Sequence, residues 1–359
     1  MNKIVLLCIL CLQQLMLVAT AAQPIVDPAL ITDKSLVIPV VVIGGGPAGY
    51  AAGLYCARAG FETKVFEGPL PGGQLTQSGT PERASVENWP GVKRACGAAI
   101  MEQMRQQVVD GGANVVQDIV VSLDCSRWPF VLETESGKTV HALTVVLATG
   151  STPKMLDVLG EKEYFGRGVS ICAVCDAWAF DDKDVVVVGG GDSAVEEALQ
   201  LASHARQVTV LVRRDCMRAS LVMQEQAQRT PNVRVEYGKE IIGIYGDGEV
   251  VTAIDVRDRV TGNIQRRAID GIFLAAGHTP CNGLVVGQVA LDEHGCVIVQ
   301  GRSQATVIPC LFAAGEIADP FYRQAATAAG DGHKAGRDVE RCLYALGLTP
   351  QVTRSWKKA

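Results

Sequence analysis

The chain lacks the features of several common classes of protein. Its 33 Lys and Arg residues are outnumbered by 38 Asp and Glu residues, which leaves a net charge of -5. Because no basic stripe is present to neutralise phosphates, a nucleic-acid partner is excluded. With 12 cysteines in 359 residues, the chain is also too long and too poor in cysteine for a small secreted scaffold held by disulfides. Instead, 38 glycines and 48% hydrophobic residues indicate a compact α/β protein of two domains.

The most informative motif of the chain is a Cys-x-x-Cys pair, and no second pair of potential metal ligands accompanies it. Cys172 and Cys175 form a Cys-x-x-Cys pair, which Asp176 follows. A structural zinc site would need another Cys or His pair at similar spacing, and the other Cys-x-x-Cys, Cys8 to Cys11, lies in an apolar leader. No metal is therefore expected. The pair instead predicts a redox-active disulfide, because sulfurs one turn apart close a small ring and one of them has a lowered thiolate pKa for exchange.

The N-terminus has the order of a secretory leader. Lys3 precedes an apolar run over residues 4–18, and Ala-Thr-Ala at residues 19–21 fits a cleavage site. We expect a signal peptide over residues 1–22 and a linker over residues 23–36. The mature protein would then lie in the secretory pathway, the periplasm or a derived organelle.

Two glutamines, Gln13 and Gln14, interrupt the apolar run of the leader. No stable membrane span is therefore expected after leader cleavage. An uncleaved leader is the alternative, and it would leave the protein cytoplasmic or tethered to a membrane.

Residues 37–66 have the pattern of a strand, a glycine turn, a helix and a second strand. The apolar run 37–43 is followed by Gly44-x-Gly46-x-x-Gly49, a small helical segment over 48–59 and a strand at 63–66. In this fingerprint the first glycine makes the turn, the second admits a pyrophosphate and the third lets the helix meet the strand. Glu67 closes the second strand, where it is placed to accept a hydrogen bond from a ribose hydroxyl.

The same pattern recurs at residues 184–212, with Gly189-x-Gly191-x-x-Ala194 as the turn, a helix over 193–203 and a strand over 207–212. A second nucleotide is therefore expected. The acidic residue usual after the second strand is absent, and three arginines stand there, Arg213, Arg214 and Arg218. Guanidinium groups at this position suit a 2′-phosphate and favour NADPH over NADH, although a solvated basic turn remains open.

Two apolar strands that end in small residues, at 145–150 and 272–277, indicate crossings between the nucleotide domains. We therefore expect a first domain over 37–151, an inserted second domain over 152–281, the return of the chain to the first domain over 282–345 and a C-terminal tail over 346–359.

A last motif joins a buried strand at 311–313 to Gly315 and Glu316, and then to Arg323-Gln324-Ala325, which open a long helix. A flavin edge or an anion is expected at this helix N-terminus. Glu316 as a simple cap or surface acid is the alternative.

Over residues 37–345 these features resemble the low-molecular-weight thioredoxin reductases, FAD enzymes of the pyridine nucleotide-disulphide oxidoreductase class. The resemblance rests on seven ordered motifs: the Gly44 fingerprint, Gly72-Gly73-Gln74-Leu75, Val86-Glu87-Asn88-Trp89-Pro90-Gly91, Cys172-Ala173-Val174-Cys175-Asp176, the Gly189 fingerprint, Arg213-Arg214 and the 315–325 segment.

The resemblance implies an α/β fold of three-layer sandwich type with two Rossmann-like domains, one for FAD and one for NADPH, in a homodimer. It implies hydride transfer from NADPH to FAD, electron transfer to the disulfide and reduction of thioredoxin by the resulting dithiol. Cys175 would face the flavin, Cys172 would attack the partner and Asp176 would move a proton. The two domains would rotate during turnover.

The resemblance also implies sets of binding residues. Those for FAD are Gly44, Gly46, Pro47, Ala48, Gly49, Glu67, Gly72, Gly73, Gln74, Asn88, Gly315, Glu316, Arg323, Gln324 and Ala325. Those for NADPH are Gly189, Gly191, Asp192, Ser193, Ala194, Arg213, Arg214 and Arg218. Those for thioredoxin docking are Arg167 and Trp178.

The chain departs from the family pattern at three places. The 75–87 segment is longer, Glu316 replaces the usual Asp, and the residues after Asp176 contain one aromatic, Trp178, where the family often has two. The alternatives are a dithiol oxidase that uses oxygen, against which the arginines argue, a reductase of another thiol partner, and a non-enzymatic nucleotide sensor, with which the intact cysteine pair conflicts.

Overall fold

The computed structural model describes residues 24–77, 86 and 88–357. The expected signal peptide lies outside these residues, as does most of the longer segment before Asn88. The expected linker contains two short 3-10 helices, Pro28–Leu30 and Lys34–Leu36, and Ile31 between them is buried.

The first structural unit is built on a seven-stranded sheet with the order β3-β2-β1-β6-β5-β4, in which β17 also pairs with β6. Strands β1, β2, β3, β6 and β17 are parallel, and β4, β5 and β6 form an antiparallel meander. The bounds are Val37–Ile43 (β1), Thr63–Phe66 (β2), Asn114–Val116 (β3), Val120–Asp124 (β4), Phe130–Thr134 (β5), Thr139–Leu147 (β6) and Leu311–Ala313 (β17).

Three helices pack on this sheet: Pro47–Arg58 (α1), Gly97–Asp110 (α2) and Ala325–Ala345 (α6). Helices α1 and α6 approach closely, because a Cβ atom at Gly332 would lie 2.1 Å from the carbonyl oxygen of Ala48. The β1 strand is buried along its whole length, as expected for a parallel strand covered on both faces.

The second unit is built on a five-stranded parallel sheet with the order β11-β10-β9-β15-β8. Its strands are Val169–Ser170 (β8), Asp184–Val188 (β9), Gln207–Val212 (β10), Val233–Tyr237 (β11) and Gly271–Leu274 (β15), and its helices are Ala173–Asp176 (α3), Asp192–Ala202 (α4) and Leu221–Arg229 (α5). A separate antiparallel sheet contains Lys239–Gly246 (β12), Val251–Asp258 (β13) and Ile264–Ala268 (β14).

The alternation of side chains along β9 produces three layers in this unit. Val185 and Val187 lie in one apolar core with Leu201 of α4, whereas Val186 lies in a second core with Ile254 of β13. Successive side chains of a strand point to opposite faces of its sheet. The parallel sheet is therefore covered by helices on one face and by the antiparallel sheet on the other.

Two short antiparallel strands connect the units, Ser151–Pro153 (β7) and His278–Pro280 (β16). This ribbon lies beside residues 151 and 281, where the sequence predicts domain boundaries. Residues of the expected C-terminal tail form a last helix, Pro350–Ser355 (α7).

The local sequence patterns predicted several elements well. The strands expected at 37–43, 63–66 and 207–212 have those bounds. Each of the two helices expected after a glycine turn begins and ends one residue earlier than expected. Among the described residues, no helix is both long and apolar enough to cross a membrane.

Candidate active site

One cavity of about 1140 Å³ receives residues from both structural units. All residues expected to hold FAD line it except Gly49 and Gly72. Cys172 and Cys175 line the same cavity. The structure therefore brings the redox pair to the expected flavin site.

The first glycine turn combines tight backbone packing with an open face. A Cβ atom at Gly49 would lie 1.8 Å from the carbonyl oxygen of Gly44, and one at Gly44 would lie 2.1 Å from that of Ala148. At Gly46 a Cβ atom would meet only the Cα atom of Gly73, at 3.9 Å. Gly44 thus permits close contact between the turn and the end of β6, Gly49 permits close contact between the helix and the turn, and Gly46 leaves room for a ligand.

The N-terminus of α1 faces this open turn without a side-chain cap. Its N-cap is Gly46, and Pro47 occupies the first helical position. The backbone N–H groups of a first helical turn have no partner within the helix and favour an anion. This arrangement fits a pyrophosphate.

Glu67 is a buried carboxylate at the end of β2. The hydroxyl of Tyr50 donates to its Oε1 atom at 2.5 Å, and Nε of Arg105 donates to the same atom at 2.8 Å. Burial, together with the Glu67 carboxylate, raises the pKa of Tyr50. Sequence reasoning found Glu67 but missed both donors, of which Arg105 comes from the separate helix α2 and carries no motif.

Glu316 connects two of the expected flavin motifs, its own segment and the loop of Gln74, to strand β7. Its Oε2 atom accepts hydrogen bonds from the Ser151 hydroxyl and, at 3.2 Å, from Nε2 of Gln74, which also donates to the carbonyl oxygen of Ser151 at 2.7 Å. Asn88 donates to the Gln324 side chain at 3.1 Å. These contacts hold the loop 72–77, β7 and the start of α6 around one wall of the cavity.

Two polar atoms in the cavity wall are buried without a hydrogen-bond partner in the part of the chain that the structure describes. They are Oε2 of Glu197 and Nδ1 of His278. Burial raises the pKa of Glu197 to about 8 and lowers the pKa of His278. Buried polar groups normally have partners, so this wall fits a large ligand with polar atoms. Sequence reasoning missed both residues, although each closely follows a predicted motif.

Cys172 and Cys175 form a disulfide at the start of the short helix α3. The Ser170 hydroxyl accepts from the backbone N–H of Cys172 at 3.1 Å and donates to Oδ2 of Asp176 at 2.6 Å. Burial raises the pKa of Asp176, although the Ser170 hydrogen bond opposes that shift. A carboxyl group of this kind retains its proton more readily than an exposed one. Ser170 is a further residue that sequence reasoning missed.

Most residues expected to hold NADPH lie outside the cavity, and Ser193 alone of that set lines it. The N-terminus of α4 has Gly191 as its N-cap and no side-chain cap. The loop that carries Arg218 folds onto this turn. The backbone N–H of Arg218 donates to the carbonyl oxygen of Gly190 at 2.6 Å. The backbone N–H of Ser220 donates to Oδ1 of Asp192 at 2.7 Å. The three expected arginines are exposed beside this turn. This region fits a nucleotide with a 2′-phosphate.

The two expected docking residues lie in the second unit. Arg167 is exposed. Trp178 is half-buried, and its Nε1 atom donates to the carbonyl oxygen of Cys175 at 3.0 Å. The guanidinium of Arg94, from the first unit, lies 3.9 Å from the centre of the Trp178 ring. In this arrangement the first unit therefore covers the predicted docking aromatic.

Two glycine-turn units and a disulfide beside an open cradle define a flavin-dependent disulfide oxidoreductase. FAD and NADPH are the cofactors of this class, and the cavity and the two uncapped helix N-termini fit them. Residues 38–332 match the pyridine nucleotide-disulphide oxidoreductase family, so the chain belongs to that family.

Thioredoxin reductases are among its relatives within that family. The enzyme of Streptomyces clavuligerus is 42% identical over 315 residues, which are 87% of this chain and 96% of the relative. The structure of thioredoxin reductase from Giardia duodenalis shares 38% identity and a TM-score of 0.79, over 86% of this chain and 99% of that one. A Lactococcus lactis thioredoxin reductase structure, described as the FR conformation, shares 32% identity and a TM-score of 0.60 over 86% and 99%. The predicted fold class and family are confirmed.

Proposed function

We propose that this chain is a thioredoxin reductase that passes electrons from NADPH through FAD to the Cys172–Cys175 disulfide, whose dithiol then reduces thioredoxin. The observation that carries the proposal is that this disulfide lines the same cavity as most of the residues expected to hold FAD, which we call the FAD cradle. The names of the relatives support thioredoxin as the partner.

The residues around the cavity support specific roles in binding FAD. The uncapped N-terminus of α1, opened by Gly46, would bind the pyrophosphate. Oε2 of Glu67 would accept a hydrogen bond from a ribose hydroxyl, because Tyr50 and Arg105 both donate to Oε1. The loop 72–74, Asn88 and the segments 315–316 and 323–325 would hold the flavin ring.

NADPH would bind the second unit. The glycine turn 189–194 and the N-terminus of α4 would hold its pyrophosphate. Arg213, Arg214 and Arg218 would bind the 2′-phosphate, since guanidinium groups form paired, charge-assisted hydrogen bonds with phosphates.

When bound, the cofactors supply the two electrons that open the disulfide. Cys172 then attacks a disulfide of thioredoxin, and its sulfur forms a mixed disulfide while one partner thiolate leaves. Asp176, whose pKa burial raises, donates the proton that the leaving thiolate needs. Cys175 attacks the sulfur of Cys172, which restores the Cys172–Cys175 disulfide and releases the reduced partner.

This cycle requires two arrangements of the units. Here the disulfide lies at the flavin cradle, Arg94 covers Trp178, and the proposed 2′-phosphate site lies outside the cavity. Docking of thioredoxin would need Trp178 and Cys172 uncovered, so the second unit would rotate about the β7–β16 ribbon. The lower TM-score of the Lactococcus lactis structure, at equal coverage and similar identity, supports a second arrangement.

Three finer parts of the proposal rest on the sequence. The leader over residues 1–22 would direct the chain to the secretory pathway, the periplasm or a derived organelle, and the intact mass of the mature protein tests its cleavage. The chain would form a homodimer, which sedimentation tests. The domain boundaries near 151 and 281 would separate the FAD and NADPH domains.

The function is tested by anaerobic mixing of the leaderless protein with NADPH, followed by addition of thioredoxin and a disulfide dye. We expect rapid loss of flavin absorbance and then dye reduction that depends on thioredoxin. Cys172→Ser and Cys175→Ser should each abolish dye reduction and leave NADPH-driven flavin reduction largely intact, because only the exchange step needs both sulfurs.

Cys216→Ser is the matched control, since Cys216 is exposed and lies outside the cavity. It should behave as wild type. Full thioredoxin reduction by either active-site variant would refute the proposal. A flavin that NADPH reduces poorly, but that small dithiols reduce and oxygen reoxidises, would instead identify a dithiol oxidase.

A further inference from the structure

Two thiols that the proposed reaction does not use lie in contact in the first unit. The Sγ atoms of Cys310 and Cys342 are 3.0 Å apart, within hydrogen-bonding distance. Cys310 directly precedes β17 and is buried, whereas Cys342 lies near the end of α6 and is partly exposed. A disulfide would need the two sulfurs to approach by only about 1 Å more.

The contacts between these residues distinguish the two sulfurs. The contact with the Cys310 sulfur, together with the backbone N–H of Cys310, lowers the pKa of Cys342. The same contact and burial raise the pKa of Cys310. A partly exposed thiol with a lowered pKa, in contact with a buried thiol with a raised pKa, is the arrangement of an attacking and a resolving cysteine.

Other free cysteines of the chain have a different environment. Burial raises the pKa of Cys56 and of Cys125 to about 12 and that of Cys296 to about 11. Buried thiols of this kind are poor nucleophiles because the thiolate is scarce. The Cys310–Cys342 contact is therefore not a general consequence of a cysteine-rich chain.

We propose that Cys310 and Cys342 are a second redox-active pair, which a hydroperoxide oxidises to a disulfide. The Cys342 thiolate attacks the O–O bond, takes up the terminal OH as a sulfenic acid and releases an alkoxide, or hydroxide from hydrogen peroxide, which is protonated to the alcohol or to water. The Cys310 sulfur then attacks the sulfenic sulfur, the S–S bond forms, the S–O bond breaks, and the hydroxide leaves with the Cys310 proton as water. Two thiols and one hydroperoxide thus yield one disulfide, one alcohol or water molecule, and one water molecule.

The position of the pair gives this disulfide a structural consequence. The two residues are 32 positions apart, and the chain between them contains β17, the 315–325 cavity wall and most of α6. A disulfide would covalently link the two ends of this segment, which forms one wall of the cavity. Neither cysteine lines the cavity, so electrons that open Cys172–Cys175 should leave the second disulfide intact.

Peptide mapping of the full chain with FAD tests the proposal without a variant. Trypsin cleaves after Arg302, Arg323, Arg341 and Arg354, which places each of the two cysteines in a peptide with no other cysteine. After reduction, desalting, treatment with hydrogen peroxide and alkylation, we expect a cross-link between peptides 303–323 and 342–354. The cross-link should survive NADPH and disappear with dithiothreitol. Separate alkylated peptides, or Cys342 oxidised beyond sulfenic acid beside a free Cys310, would overturn the proposal.

Variants separate the two roles. Cys310→Ser should leave Cys342 as a sulfenic acid that a 1,3-diketone probe labels, whereas Cys342→Ser should leave Cys310 unoxidised. Cys216→Ser, the exposed control, should keep the cross-link. Labelling of Cys310 in Cys342→Ser as strong as that of Cys342 in Cys310→Ser would contradict the assigned order of attack.

A melting experiment tests whether the Cys310–Cys342 disulfide stabilises the fold. In a background with Cys172→Ser and Cys175→Ser, peroxide treatment should raise Tm by about 5 °C or more, because a disulfide that closes a loop of this length restricts the unfolded chain. Further substitution of Cys310→Ser should remove that rise. An unchanged Tm in the cross-linked protein would refute the stapling role.

Discussion

The contact between Arg94 and Trp178 tests the proposed rotation directly. The Arg94 guanidinium lies 3.9 Å from the centre of the Trp178 ring, and the two residues belong to different structural units. If the second unit rotates to expose Trp178, this contact breaks. Arg94→Ala removes it without changing either glycine turn or the disulfide.

The expected magnitude follows from the exposure of the pair. Because Arg94 is exposed, the contact is worth the lower part of the cation–π range, about 0.5–1 kcal/mol. Loss of that energy shifts the equilibrium between the two arrangements by about 2- to 5-fold. The proposed rotated arrangement, which would bring bound NADPH to the flavin, should therefore be more populated in Arg94→Ala.

Stopped-flow absorbance measures the consequence. Flavin reduction by NADPH should become faster by up to this factor, and the subsequent transfer to the disulfide should slow. Lys93→Ala is the matched control, because Lys93 is an exposed neighbour with the same charge. Slower flavin reduction in Arg94→Ala, or equal effects of both variants, would refute the contact as a restraint on rotation.

Two further predictions concern the ligand sites. Burial raises the pKa of Glu197 from 4.5 to about 8, so the contribution of this group to the stability of the FAD-free protein should be fully present below about pH 4.5 and be lost as the pH rises to about 8. Glu197→Gln should therefore raise Tm more near pH 8 than near pH 5, and a rise that is equal at both, or that the exposed control Glu249→Gln reproduces, would contradict the burial argument. Replacement of Arg213 and Arg214 by Ala should raise the KM for NADPH by about 10- to 100-fold and the KM for NADH far less, because only NADPH carries the 2′-phosphate. Steady-state kinetics with both nucleotides measure this difference. Equal increases in the two KM values would remove the basis for a preference for NADPH.

Much of the fold could be predicted because its signals are local. The apolar run 37–43 and the glycines that follow it determine a strand and a turn through the backbone of neighbouring residues. For each of the two helices after the glycine turns, the predicted start is one residue later than the observed start. Pro47 and Asp192 occupy the first helical positions, which the periodicity of apolar residues does not mark.

Side chains that meet across elements could not be predicted in this way. Ser170, Arg105 and His278 belong to no motif used in the prediction, and each acquires its role from a partner or a cavity that folding assembles. The contact between Cys310 and Cys342 joins residues 32 positions apart, and nothing in the spacing of single cysteines indicates it.

The sequence by itself determined that this protein has two nucleotide units, a redox disulfide and arginines after strand β10 of the second unit, since each is a short motif whose geometry depends on adjacent residues. Only the tertiary structure decided that the disulfide lies at the FAD cradle and that Arg94 covers Trp178. These positions depend on how the two units pack about the β7–β16 ribbon, and that packing is a property of surfaces far apart in the chain.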